Sequence, residues 1–173
     1  SVKSREHLIS YIEGRTGHWG PLFAILRVPA PTGRTNRVSN ADVTDATEGA
    51  ADNFTSTAKD YDATVRHNIR GAERLAAAFP DGSYPRVLDV GCGTGWSALA
   101  MHTRFGCSHI VGVDPAQGML DVFAEKIGEL DGVTVELRAA DVMDMGVADE
   151  SVDAVISSMA MHWFPDKPGA AKA

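Results

Sequence analysis

Val87-Leu88-Asp89-Val90-Gly91-Cys92-Gly93-Thr94-Gly95 is the stretch that decides how this chain is read. With Arg86, its first four residues form a short apolar strand. Glycine then recurs at alternate positions, which makes a turn whose backbone another group can approach closely. Trp96 to Phe105 reads as the helix leaving that turn. The spacing is G-x-G-x-G rather than the G-x-G-x-x-G of dinucleotide-binding loops, so hydride transfer is the less expected chemistry.

Toward the C-terminus the same alternation continues. His109 to Asp114 is a second strand, Gln117 to Leu130 a helix, Val133 to Arg138 a third strand and Val152 to Ser157 a fourth. Continuous apolar strands separated by helix-length segments predict an α/β fold with a doubly wound, mostly parallel, Rossmann-like sheet covered on both faces. Toward the N-terminus, Ala58 to Phe79 is expected to be helical, with Tyr61, Val65, Ile69 and Leu75 on one face and Pro80-Asp81-Gly82 ending it. Residues 29 to 50 read as a linker or lid. His7 to Ile12 reads as a short amphipathic helix stopped at Gly14, and Pro21 to Val28 as a second apolar patch. The expected division is therefore an N-terminal extension over residues 1–50 and a ligand-binding domain over 51–173.

The 173 residues are 44% hydrophobic and 23% charged, enough for one domain with a sizeable core. Residues 1–40 carry a charge of +4 and the remainder −11, so the boundary is visible in charge alone. The net charge of −7 disfavours a phosphate-backbone binder, so nucleic acid is not the expected partner. Two cysteines cannot build a disulfide framework, which fits a reducing, cytoplasmic setting. The least polar N-terminal run, His18 to Leu26, has about half the length needed to span a bilayer core.

Open α/β sheets bind ligands beyond the carboxyl ends of their strands, and the informative residues fall there. The Gly91–Gly95 turn can bring backbone close to a ligand, and the following helix start suits an anionic handle such as a carboxylate. Asp114, ending the second strand, stands where an acidic side chain accepts hydrogen bonds from ribose hydroxyls. Asp141, after the third strand, could accept from an exocyclic amino group such as that of adenine. The three together are consistent with one adenosine ligand. Cys92 has no activating His or Lys beside it and reads as a small buried residue, not a nucleophile. Met143, Met145, Met159 and Met161 read as gap fillers, His102 and His109 as structural, and no metal site is expected.

With these residues in view, the sequence resembles the class I S-adenosylmethionine-dependent methyltransferases, in particular the small-molecule group that includes quinone-biosynthesis and trans-aconitate methyltransferases. The matching segments are V-L-D-V-G-C-G-T-G (87–95), V-G-V-D-P (111–115), A-A-D-V (139–142) and V-D-A-V-I-S-S-M-A-M-H-W-F (152–164). The resemblance implies S-adenosyl-L-methionine as cofactor and S-adenosyl-L-homocysteine as product. It places Asp89 and the backbone from Gly91 to Gly95, through Cys92, Gly93 and Thr94, at the methionine end and Asp114, with Pro115 beside it, at the ribose. Met119 would pack on the adenine, Asp141 and Val142 would recognise its edge, and Ser157 to Met159 would line the methionine side. Tyr61 matches an aromatic residue that covers the cofactor in this group. His162, just past the fourth strand, is the expected general base where the acceptor is a hydroxyl or carbon.

The resemblance also implies a seven-stranded sheet, whereas the segments end shortly after the fourth strand. The expectation is a fragment of a longer protein, or a fourth strand whose edge finds a partner, a homodimer through that edge or the N-terminal segment included. Two other functions stay open: a non-catalytic binding module on the same fold, and another nucleotide-dependent enzyme such as a dehydrogenase or an aminopropyl transferase.

Overall fold

The computed structural model describes residues 24–25, 44–128, 130–164, 166 and 170. The helix expected over His7 to Ile12 and most of the linker lie outside them. The elements are β1 (Ala24–Ile25), α1 (Thr44–Thr64), α2 (Arg66–Ala78), β2 (Arg86–Val90), α3 (Trp96–Phe105), β3 (His109–Val113), α4 (Gln117–Ile127), β4 (Thr134–Arg138) and β5 (Ala154–Ile156), followed by a 3-10 turn at Met161–Trp163. The strands form one sheet in the order β1-β5-β2-β3-β4. β5, β2, β3 and β4 are parallel, with Val87 opposite both Ile110 and Ala154. This is the doubly wound sheet that the sequence predicts. The order reverses at β2, which lies between β3 and β5.

The continuous apolar runs of β2 and β3 follow from burial on both faces. Val87, Ile110, Ala154 and Ile156 pack with Leu75 and Phe79 of α2, Met101 of α3 and Leu120 and Phe123 of α4. Leu88, Val90, Val111 and Val113 face the other way, where Val142, Ala140, Met143, Met145 and Phe164 cover them. Among the described residues this second layer is made of loops, and two of the methionines fill gaps in it as expected. α3 stops at Gly106, whose φ of 64° lets its amide bond back to the His102 carbonyl. The two histidines read as structural have structural partners. His102 Nδ1 lies 2.8 Å from the Cys107 carbonyl, and His109 Nε2 lies 3.0 Å from Glu136.

Three expectations need correction. The single helix expected from Ala58 is two helices, broken at Val65 (φ −114°, ψ 47°). The first begins at Thr44, inside the stretch read as linker. Its packing residues include Ala51, Phe54 and Ala58, too small for the most part to show a bulky apolar face. The third correction concerns the edge of β5, which is not open: Ala24 and Ile25 pair with Ile156 and Val155 in antiparallel register. The edge that the sequence reading left for a partner is thus taken, at Val155 and Ile156, by a strand of the same chain. β5 itself is shorter than the expected Val152–Ser157; just before it, Asp153 donates its amide to the Arg86 carbonyl and accepts the Arg86 amide on its carboxylate, both at 2.8 Å.

Candidate active site

Because β3 and β5 leave β2 in opposite directions, a crevice opens beyond the carboxyl ends of these strands. It has two adjoining halves that share Phe54, Gly91, Asp114, Ala160 and Trp163. One half reaches Pro115, Asp141 and Val142. The other runs along Cys92, Gly93, Thr94 and Trp96 to Tyr61, Asn68, Ser158 and Met159.

The glycine turn is held by its own amides. Gly91 and Cys92 donate to the Val113 carbonyl, at 2.8 and 3.0 Å, and Gly95 donates to the Cys92 carbonyl. Gly93 donates to Asp114 Oδ2 at 2.8 Å. The amides of these four positions are thus used within the protein, and what the turn supplies is close approach. Gly93, at φ 51°, has open space where a Cβ would stand. At Gly95, with φ 89°, a Cβ would be driven into the Phe123 ring, so only glycine lets the turn sit on α4.

Asp114 ends β3 and lines both halves. Its oxygens each accept one backbone amide, from Gly93 and from Ala116 at 2.9 Å, which fixes the carboxylate with further lone pairs to spare. Burial raises its pKa and the two amides pull it back down. Asp141 is fixed in the same way, accepting the Met143 amide at 2.8 Å. Asp89 lies under the crevice, fully buried, with Oδ2 on the Ala98 amide at 3.1 Å and Oδ1 buried without a partner.

Residues 87–172 match the family model of the methyltransferase domain. The malonyl-[acyl-carrier protein] O-methyltransferase of Hahella chejuensis is 30% identical over 135 residues, 75% of this chain and 47% of its own length. This chain belongs to the class I S-adenosylmethionine-dependent methyltransferases. The trans-aconitate 2-methyltransferase of Variovorax paradoxus is 29% identical over 97 residues, 56% of this chain and 36% of the relative. The chain thus spans less than half the length of these curated relatives. Among solved structures, the Haemonchus contortus phosphoethanolamine N-methyltransferase in complex with phosphoethanolamine and S-adenosylhomocysteine superposes with a TM-score of 0.56 at 14% identity, covering 69% of this chain and 26% of that one. That likeness is one of fold.

The methyltransferase crevice fits the family's cofactor on its own chemistry. An acidic residue with spare lone pairs at the end of β3, an open backbone position at Gly93 and an unpartnered buried oxygen on Asp89 all suit a cationic ligand with ribose hydroxyls. Of the residues singled out by sequence, Tyr61, Gly91, Cys92, Gly93, Asp114, Pro115, Met119, Asp141 and Val142 line the two halves. Met119 falls on the glycine-turn side, packed under α1 against Ala58, and not beside Asp141. Asp89, Gly95 and Ser157 lie behind the wall, and the Ser157 hydroxyl is buried without a partner. The side chain of His162 lies outside the described residues; its backbone is in the 3-10 turn at the rim. Burial pushes the Cys92 thiol well up, in keeping with a packing residue and not a nucleophile.

Several wall residues escape sequence reading. Phe54 of α1 meets Trp163 edge-on at 5.3 Å and Tyr61 at 6.0 Å, forming an aromatic strap between α1 and the turn after β5. Tyr61 accepts from Asn68 Nδ2 at 3.1 Å across the break between α1 and α2. Burial, opposed by that bond and helped by the Asp114 and Asp62 charges, raises the Tyr61 pKa, so the phenol keeps its proton. Asp62, the next residue, accepts from the Thr94 hydroxyl at 2.6 Å and the Trp96 indole at 2.9 Å, and pairs with Lys126. Burial alone would raise the Asp62 pKa, but these donors and the Lys126 charge outweigh it and hold the carboxyl below its ordinary value.

Proposed function

We propose that the protein transfers a methyl group from S-adenosyl-L-methionine to a small-molecule acceptor. The observation that carries this reading is Asp114, fixed by two backbone amides at the switch point of the sheet and shared by both halves of the crevice. In this reading Asp114, with Pro115 beside it, holds the ribose, while Asp141 and Val142 meet the adenine edge. The turn from Gly91 to Gly95, Cys92 included, receives the methionine end, with Asp89 and Ser157 supporting it from behind and Met119 beneath. Tyr61 and the Phe54–Trp163 pair cover the ligand and keep water out.

The bound cofactor supplies an electrophilic methyl group on a sulfonium, displaced in line by the acceptor. The protein's share is therefore positioning and desolvation, with no covalent enzyme intermediate. His162 is the proposed general base for a hydroxyl or carbon acceptor; a carboxylate acceptor would need none. Relatives named for malonyl-[acyl-carrier protein] and trans-aconitate support a small acidic acceptor over a nucleic acid, in line with the −7 charge. Among the described residues no helix is long and apolar enough to cross a membrane, and both cysteines are free and buried, which supports a cytoplasmic site of action. A homodimer through the N-terminal segment and a lid role for residues 1–50 belong to the same reading.

The test is calorimetric titration of the chain with S-adenosylhomocysteine, beside Asp114→Ala and an NAD control. Binding by the parent, loss of at least about tenfold in the variant and no response to NAD are expected. A folded parent that binds NAD instead, or neither ligand, overturns the proposal in favour of another nucleotide chemistry or a non-catalytic module.

A further inference from the structure

Asp62 stands on α1, yet its bonds lead away from that helix. One oxygen accepts from Thr94, inside the glycine turn, and from Trp96, the first residue of α3; the other faces Lys126 in the last turn of α4. Lys126 closes the circuit by donating to the Thr94 carbonyl at 2.8 Å and lying 4.4 Å above the Trp96 ring. Four residues from three helices and the turn therefore meet at one carboxylate. Thr94 belongs to the turn whose backbone the resemblance assigns to the cofactor, while Asp62, Trp96 and Lys126 lie outside that set.

A second contact explains why this meeting point matters. At the other end of the α1–α4 crossing, Gly118 lies so close to Thr55 that a Cβ there would stand 2.6 Å from the Thr55 carbonyl oxygen. Thr55 and Asp62 on α1 thus pair in order with Gly118 and Lys126 on α4, so the two helices run in the same direction along their contact. The segment of α1 between those points carries the inner residues Ala58 and Tyr61, and Phe54 sits at its start. Gly118 sets how near α1 comes, and Asp62 sets its angle over the crevice.

We propose that Asp62 is a positioning residue that latches α1 to the glycine turn, so that docking of α1 and binding of the cofactor stabilise each other. The inference rests on the methyltransferase reading, since it needs a ligand between the turn and α1. The energetic logic is linkage. A ligand that touches both the turn and Tyr61 favours the docked state over the loose one, and whatever fixes the docked state beforehand strengthens binding by the same factor.

The experiment compares the parent chain with Asp62→Asn, Lys126→Met and the double variant, by hydrogen exchange of α1 amides with and without S-adenosylhomocysteine and by titration with that nucleoside. Asn keeps an acceptor for Thr94 and Trp96 but turns an N–H toward Lys126, so it breaks one arm of the latch. Each single variant is expected to exchange its α1 amides about tenfold faster and to bind the nucleoside about tenfold more weakly, with β2 and β3 amides unchanged, which shows that the sheet remains folded. The double variant should be no worse than Lys126→Met, because the Asp62–Lys126 arm is already gone in that single, which also lacks the Lys126 contacts to Thr94 and Trp96. Unchanged α1 exchange and unchanged affinity in Asp62→Asn, beside a parent that binds, would overturn the latch and leave the function standing. A parent that does not bind the nucleoside at all would overturn the function, and with it the link claimed for Asp62. An effect spread equally over α1 and the sheet would reduce Asp62 to a general stabiliser and overturn the positioning role.

Discussion

Asp89 puts a carboxyl in a place that only half accommodates its charge. The residue is fully buried at the end of β2, one oxygen takes the Ala98 amide, and the other has no protein partner. Burial pushes its carboxyl up to about 7, against the pull of the Ala98 bond and with a smaller push from Asp114. Its ordinary value is 3.8, so between about pH 4 and 7 the folded chain binds a proton that the unfolded chain releases. Stability from this group is therefore highest in acid, falls as pH rises through that window and levels off above it. Asp89→Asn keeps an oxygen for Ala98 and cannot ionise. Denaturant unfolding from pH 4.5 to 8 should show the parent losing stability relative to the variant, by up to about 3 kcal/mol. Any offset from the added amide N–H is the same at every pH, so the slope is what is read. Parallel pH profiles would mean that Asp89 stays ionised throughout.

At the scale of the element, the crossing of α1 over α4 depends on the hydrogen atom at Gly118. In an ordinary helix Gly→Ala is stabilising by about 1 kcal/mol. Here the new methyl would meet the Thr55 carbonyl at 2.6 Å and its Cα at 2.9 Å, both backbone atoms that cannot rotate away. Gly118→Ala should therefore destabilise by about 1–3 kcal/mol and loosen α1 before the sheet, seen as a lower Tm with faster exchange confined to α1. A rise in Tm would mean that the helices are not held this close. The same crossing shows where the sequence is readable and where it is not. β2 and β3 declare themselves because a strand buried on both faces must be apolar throughout, and the carboxyl ends of such strands are where Asp114 and Asp141 are found. α1 does not declare its start, because it packs through Ala51 and Ala58 with Phe54 and Tyr61, and small residues leave no periodic bulky signal. Asp62 and Lys126 carry no local mark of their meeting, since it exists only once α1, α4 and the turn are packed.

For the whole molecule, the decisive feature is how the sheet ends. The β4 edge carries Glu136, bonded to both His109 and Arg138, and such charged side chains discourage pairing with another chain. The β5 edge is protected differently, by the two-residue pairing of Ala24–Ile25 with Val155 and Ile156. That pairing also bears on the crevice, because β5 runs straight into Ser157 and on to Ser158, Met159 and Ala160, the last three of which wall the half beside the glycine turn. Met159 holds a φ of 58°, a costly conformation for a side-chain-bearing residue, so this wall depends on the strand before it being fixed. A chain beginning at Thr44 lacks β1 and leaves the β5 edge unpaired. It should keep the circular dichroism of the remaining elements, associate at concentrations where the 173-residue chain is monodisperse, and bind S-adenosylhomocysteine more weakly by about tenfold or more. Light scattering and titration on the two chains check both halves. A shortened chain that is as monodisperse and binds as tightly would show that β1 neither protects the edge nor braces the wall.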